Sequence, residues 1–133
     1  VKIFLDSSFL IAYVIETDEN NKLALKLENE NIFDNECYIN NLILNEIVTV
    51  IGNKTSLDLA VNTYNAIKDN CNIINDYNKP NFNDNVMKIY KKNNTKLSFT
   101  DCAIIETMNE NNINNLVSFD KYFDRVLGIK RIH

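Results

Sequence analysis

Val1-Lys-Ile-Phe-Leu-Asp-Ser-Ser-Phe-Leu-Ile-Ala-Tyr-Val-Ile15 opens the chain and sets its fold class. Val1–Leu5 is a short apolar run ending at Asp6, the pattern of a strand buried on both faces of a parallel sheet. Ser7 and Ser8 are good helix N-cap residues, and Phe9–Ile15 then supplies an almost wholly apolar helix. Strand, carboxylate and buried helix within fifteen residues begin an α/β unit.

The rest of the chain repeats the alternation. Asp18–Asn29, with Leu23, Ala24 and Leu27, reads as a second, more exposed helix, and Cys37–Asn40 as a second strand. Leu42–Asn53 places Ile43, Ile47, Val50 and Ile51 on one helical face and is expected to stop near Gly52. Thr55-x-x-Asp58 reads as a capping box for a helix whose inner face is Leu57, Ala60, Val61, Tyr64 and Ile67. Asn72–Asn75 is a third strand. Pro80 and Asn81 punctuate before a helix carrying Phe82, Val86, Ile89 and Tyr90, and Ser98-Phe-Thr-Asp101 opens another with Ile104, Ile105 and Met108. Leu116–Ser118 and Gly128–Ile132 close the chain as strands. The expectation is one three-layer α/β domain over residues 1–133, a central parallel sheet flanked by helices with right-handed crossovers.

Composition removes many chemistries. The 133 residues are 45% apolar and 24% charged, which suits a globular core. No apolar run approaches the ~20 residues of a membrane helix. Asp6 interrupts the early apolar stretch and no small-residue cleavage site follows, so a secretory leader is not expected. With two Gly and one Pro, neither G-x-G-x-x-G nor G-x-x-x-x-G-K-[ST] can be written. The one histidine, His133, ends the sequence, which disfavours Ser–His–Asp, Cys–His and histidine-rich metal chemistry. Cys37, Cys71 and Cys102 are odd in number and far apart in sequence, with no C-x-x-C; a reducing cytoplasm is expected. A net charge of −4 argues against gripping nucleic acid by bulk electrostatics, but not against a nucleic-acid enzyme whose metal ions neutralise local charge. The 25 asparagines read as a compositional bias displayed on the surface.

What remains is carboxylates. Ligand crevices of open α/β sheets lie beyond the carboxyl ends of the strands. Asp6 follows the first strand, Asp120 follows Leu116–Ser118, and Asp101 and Glu46 lie near the starts of their helices. At ~100° per residue Glu46 falls between Leu42 and Val50, at the edge of the apolar stripe, and Asp101 shares a face with Ile104, Ile105 and Met108. Two carboxylates ~5 Å apart repel by roughly 3 kcal/mol at an effective dielectric near 20, and no His or internal Arg is at hand to relieve them. Either a hard cation shares the site, Mg²⁺ or Mn²⁺ for an all-oxygen set, or some acids take up protons. Each acid also has a plainer reading. Asp6 is a turn residue, Asp101 the far end of a capping box, Glu46 a snorkelling side chain, and Asp120 a loop solvator with Asp124 as a competitor.

Four segments together resemble the PIN domain, and within it the ribonuclease toxins of VapBC-type toxin–antitoxin pairs. They are Phe4-Leu-Asp-Ser-Ser-Phe-Leu-Ile-Ala-Tyr13, Leu44-Asn-Glu-Ile47, Leu97-Ser-Phe-Thr-Asp-Cys-Ala103 and Leu116-Val-Ser-Phe-Asp-Lys-Tyr-Phe123. The resemblance implies a metal-dependent endoribonuclease whose acids are Asp6, Glu46, Asp101 and Asp120. Asp6 and Asp101 would be the principal Mg²⁺ (or Mn²⁺) ligands, with Glu46 and Asp120 completing the shell, and Ser7 and Ser118 would orient a carboxylate or water. It further implies an RNA substrate, an antitoxin partner and a homodimer. Asn20 and Asn21 stand where relatives often carry His, and Cys102 where Ala is common. Lys54, Lys96, Lys121 and Arg125 are the cations best placed near the rim. Tyr13, Phe33 and Tyr64 are candidates for a dimer or inhibitor surface, or for the core. The competing readings are a haloacid-dehalogenase-like phosphatase, whose second Asp is Ser8 here, a receiver-like domain with Asp76 as phosphoacceptor, and a non-catalytic PIN-like binding module.

Overall fold

Five strands, none longer than five residues, pair in parallel in the order β3-β2-β1-β4-β5. The computed structural model describes residues 1–93 and 96–133. Its strands are β1 (Lys2–Leu5), β2 (Glu36–Asn40), β3 (Asn72–Ile74), β4 (Asn115–Val117) and β5 (Lys130–Ile132). Between them run α1 (Ser7–Val14), α2 (Asn21–Asn29), α3 (Asn41–Lys54), α4 (Leu57–Asn70), α5 (Phe82–Lys92) and α6 (Phe99–Glu110), with 3₁₀ turns at Ile32–Asp34 and Lys121–Arg125. The expected parallel α/β sheet is borne out.

The order explains the layers. β1→β2→β3 steps one way across the sheet and β3→β4 crosses back over β1. Right-handed crossovers therefore send α1–α4 to one face and α5–α6 to the other. The chain reverses direction between β1 and β4, the switch point where α/β sheets open a crevice. Ile3, Phe4 and Leu5 are each at most 1% exposed, as a strand covered on both faces requires. α6 is buried from Cys102 through Met108, so it is a central helix and not an amphipathic one.

Several local expectations are corrected. Asp6, not Ser7 or Ser8, caps α1: its carboxylate accepts the Ser7 N–H at 2.9 Å. α3 runs past Gly52 to Lys54, and Thr55 closes it, its hydroxyl donating to the Ile51 carbonyl at 2.6 Å. Ser56 then caps α4, because Thr55 is already committed backwards. The inner face of α4 is Ala60, Thr63 and Ile67, while Leu57, Val61 and Tyr64 are exposed. Tyr13 and Phe33 are half-buried and join an aromatic cluster around Phe9.

Asparagine is more than surface bias. Asn31, Asn81 and Asn112 adopt left-handed backbone (φ 66°, 63° and 55°), the duty Gly performs in chains that have more of it; Gly128 (φ 84°) is the one glycine so used among the described residues. Asn70, Asn93 and Asn111 donate to carbonyls four residues back and satisfy the last turns of α4, α5 and α6. Asn40 is fully buried and caps α3, accepting the Ile43 N–H at 3.0 Å.

Candidate active site

The register of β1 on β4 builds the centre of the site. Leu5 pairs with Val117, so the next residues, Asp6 and Ser118, stand side by side where the two strands end at the switch point. The Asp6 N–H continues the ladder to the Val117 carbonyl at 3.0 Å. The Ser118 hydroxyl donates to Asp6 Oδ2 at 2.7 Å, and the Ser8 hydroxyl donates to the same oxygen at 2.8 Å. Among the described residues Asp6 Oδ1 takes only the Ser7 N–H and retains a lone pair.

Asp101 and Asp120 arrive by the same device, a helix start. Asp101 is the third residue of α6 in a reciprocal capping box: Ser98 N–H donates to Asp101 Oδ2 and Asp101 N–H to Ser98 Oγ, both at 3.0 Å. Asp120 caps the Lys121–Arg125 turn by accepting the Tyr122 N–H at 3.0 Å, and its own N–H donates to Ser118 Oγ at 3.0 Å. The plainer reading of Asp101, the far end of a capping box, is thus also correct, whereas Asp6 is a helix cap and not a turn residue; capping holds both carboxylates in place at the crevice. Helix N-termini also favour negative charge there.

Asp6, Glu46, Asp101 and Asp120 line one open cleft of about 530 Å³, with Ser7, Ser8, Leu42, Ser98, Thr100 and Ile104. Glu46 departs from the inward placement expected of it; it is exposed at the rim of α3. Ser118 lies behind the cleft, fully buried, and reaches it through Asp6. Ser8, whose hydroxyl touches Asp6 and accepts the Phe119 N–H at 3.1 Å, has a larger part than Ser7. Its position two residues past the cap was the available signal.

The charges register one another. Burial pushes the Asp6 carboxyl above its ordinary value; the Ser118 and Ser8 hydroxyls work against this, and the nearby Asp101 charge adds to it. Asp101 is likewise raised by burial, against its Ser98 bonds, and further by Asp120 and Glu46. Among the described residues no Lys or Arg pairs with any of the four. Nor do three acids there already converge as a closed metal cage. An all-oxygen, cation-free donor set around an open cleft suits Mg²⁺, which takes one or two carboxylates and fills its remaining positions with water and phosphate.

Two other acids are excluded from the cleft. Asp124 accepts Arg131 Nε at 2.8 Å and Nη2 at 3.0 Å, and the guanidinium holds its carboxyl below the ordinary range. Arg131, also bonded to the Ser118 carbonyl at 3.1 Å, is the internal arginine that sequence reasoning missed. Asp76 is 4% exposed and held by the Thr107 hydroxyl (2.6 Å) and Lys79 (2.9 Å), a structural acid and not a phosphoacceptor. Lys54, Lys96, Lys121 and Arg125 are exposed, Arg125 lying over the Tyr122 ring at 5.4 Å. No helix among the described residues is long and apolar enough to cross a membrane.

The architecture is similar to that of VapC20 from Mycobacterium tuberculosis, a sarcin–ricin-loop-cleaving toxin, with a TM-score of 0.74 at 19% identity over 92% of this chain and 93% of that one. It is also similar to VapBC2 of Rickettsia felis bound to promoter DNA (TM-score 0.71, 14% identity, 99% and 98% covered). A toxin–antitoxin complex from Klebsiella pneumoniae matches with a TM-score of 0.70 at 18% identity, covering 96% and 95%. No curated protein sequence matches the chain. The family model of the PIN domain matches residues 3–128, nearly the whole length. A switch-point cleft ringed by four acids, on a fold shared with those toxins, is thus joined to a sequence match of the same kind, and the chain belongs to the PIN domain family.

Proposed function

We propose that this chain, as one domain over residues 1–133, is a divalent-metal-dependent endoribonuclease, the toxin of a cytoplasmic toxin–antitoxin pair. The observation that carries the reading is the meeting of Asp6, Glu46, Asp101 and Asp120 in one cleft with no cationic partner among the described residues. The solved structures similar in fold include complexes of toxin with antitoxin, which supports the partnership; a homodimer belongs to the same proposal.

Asp6 and Asp101 are the principal ligands in this reading, each keeping lone pairs beyond its capping bonds. Glu46, exposed at the rim, and Asp120, with Oδ2 unbonded among the described residues, complete the shell directly or through water. Bound Mg²⁺ or Mn²⁺ supplies a Lewis acid for the scissile phosphate and an acidified water. Ser118 and Ser8 lock the Asp6 rotamer through Oδ2 and so aim Oδ1, and Ser7 contributes its N–H to the same carboxylate. The N-termini of α1 and α6 favour the phosphodiester's negative charge in a protein whose net charge is −4. Single-stranded or looped RNA is the substrate class that a shallow, open cleft admits.

The test is incubation of the purified chain with a panel of structured RNAs, tRNAs included, in Mg²⁺, in Mn²⁺ and in EDTA. Cleavage in either metal and none in EDTA is expected, and Asp6→Asn or Asp101→Asn should abolish it while circular dichroism stays native. Undiminished cleavage by either variant, or cleavage indifferent to EDTA, refutes the reading.

A further inference from the structure

Cys37 and Cys71, distant in sequence, meet across the β2–β3 pair. Tyr38 stands opposite Asn72 in that parallel register, so Cys37 and Cys71 are the residues one step earlier, with side chains leaving the same face. Neighbouring strands run ~4.7–4.9 Å apart, inside the ~4.4–6.8 Å Cα separation across which a disulfide closes. The Asn72 side-chain Nδ2 donates to the Cys37 carbonyl at 3.3 Å and ties the strands together here. The Cys37 S–H donates to the Asn35 carbonyl at 3.4 Å, and the interaction between the two neighbouring thiols pushes the Cys37 thiol down and the Cys71 thiol up. Both line a cavity of about 490 Å³ between α1 and α4, Cys37 buried at 4% exposure and Cys71 half-buried, whereas Cys102 is fully buried in α6.

We propose that Cys37 and Cys71 form a peroxide-reactive thiol pair that closes to an intramolecular disulfide. The Cys37 thiolate attacks one oxygen of a hydroperoxide, the O–O bond breaks, and a sulfenic acid and hydroxide or alkoxide result. The Cys71 sulfur then attacks the sulfenic sulfur; the S–S bond forms, the S–O bond breaks, and the hydroxyl leaves with the Cys71 proton as water. Two thiols lose two electrons and the hydroperoxide gains them. The bond spans α3 and α4, including Glu46, and fastens the C-terminal end of α4 and the short edge strand β3 to β2. This site is independent of the acidic cleft.

The experiment treats the reduced, folded full chain with hydrogen peroxide, then counts thiols under denaturing conditions and maps peptides by mass. The titre is expected to fall from three thiols to one, with Cys37 joined to Cys71, Cys102 free, and full recovery by dithiothreitol. Cys102→Ala should behave alike, and Cys71→Ser should stop at a Cys37 sulfenic acid that dimedone traps. Three thiols retained by the wild type, a bridge involving Cys102, an intermolecular bridge, or sulfinic acid without a disulfide would each overturn the proposal.

Discussion

Replacing Asp101 by asparagine should make the metal-free protein more stable. The carboxyl is pushed above its ordinary 3.8 by burial and by the charges of Asp120 and Glu46, and Asp6 is raised beside it. Two such charges ~5 Å apart cost roughly 3 kcal/mol at an effective dielectric near 20. Asp101 is only partly buried, so solvent screening reduces this to about 1–2 kcal/mol. Asparagine keeps an acceptor for the Ser98 N–H but gives up ~0.5 kcal/mol of charge–helix-end interaction. The net gain is about 1 kcal/mol, or a melting midpoint higher by roughly 3–5 °C. The sign with pH follows. Because the folded carboxyls bind protons more tightly than the unfolded ones, their contribution to stability is full below the unfolded value of 3.8 and is lost as pH rises through the folded value. The variant's advantage should therefore shrink on acidification from pH 7 towards pH 4, close to the unfolded value. Thermal denaturation in EDTA at both pH values, then a Mg²⁺ titration, is the assay. Wild type should gain about 2.7 kcal/mol at a hundred times the dissociation constant, and the variant far less. A variant that melts below wild type in EDTA, or a wild-type midpoint indifferent to Mg²⁺, would refute the reasoning.

Ser118→Ala removes a hydroxyl 2.7 Å from Asp6 and the acceptor of the Asp120 N–H, so a loss of about 1–3 kcal/mol in urea denaturation is expected. Mg²⁺ affinity should fall roughly 10–100-fold by calorimetry, because the Asp6 rotamer is released. Thr107→Val orphans Asp76 Oδ2 and Asn40 Nδ2 inside the core and should cost about 2–4 kcal/mol, with Thr107→Ser recovering most of it; equal midpoints for Val and wild type would deny the network any weight. Asn81→Ala forces an alanine to φ 63° and should cost about 1 kcal/mol, while Asn81→Gly should be near neutral by the same measurement.

The order of strands and helices and the four acids were legible along the chain, since an apolar run ending at Asp6 and a carboxylate beside Ile104 and Ile105 are local patterns. So was the capping box of Ser98 and Asp101, whose partners are three residues apart. Local pattern misled where two adjacent residues competed for one job, as Thr55 and Ser56 did, and where an apolar stripe on α4 faced outwards. Tertiary structure alone decided the rest. Register set Ser118 against Asp6 and Cys37 against Cys71, and a bidentate bond from Arg131 withdrew Asp124 from the cleft. The division has one physical cause. Periodicity and capping are encoded within a few residues, whereas the alignment of strands distant in sequence is fixed by the packing of the whole sheet.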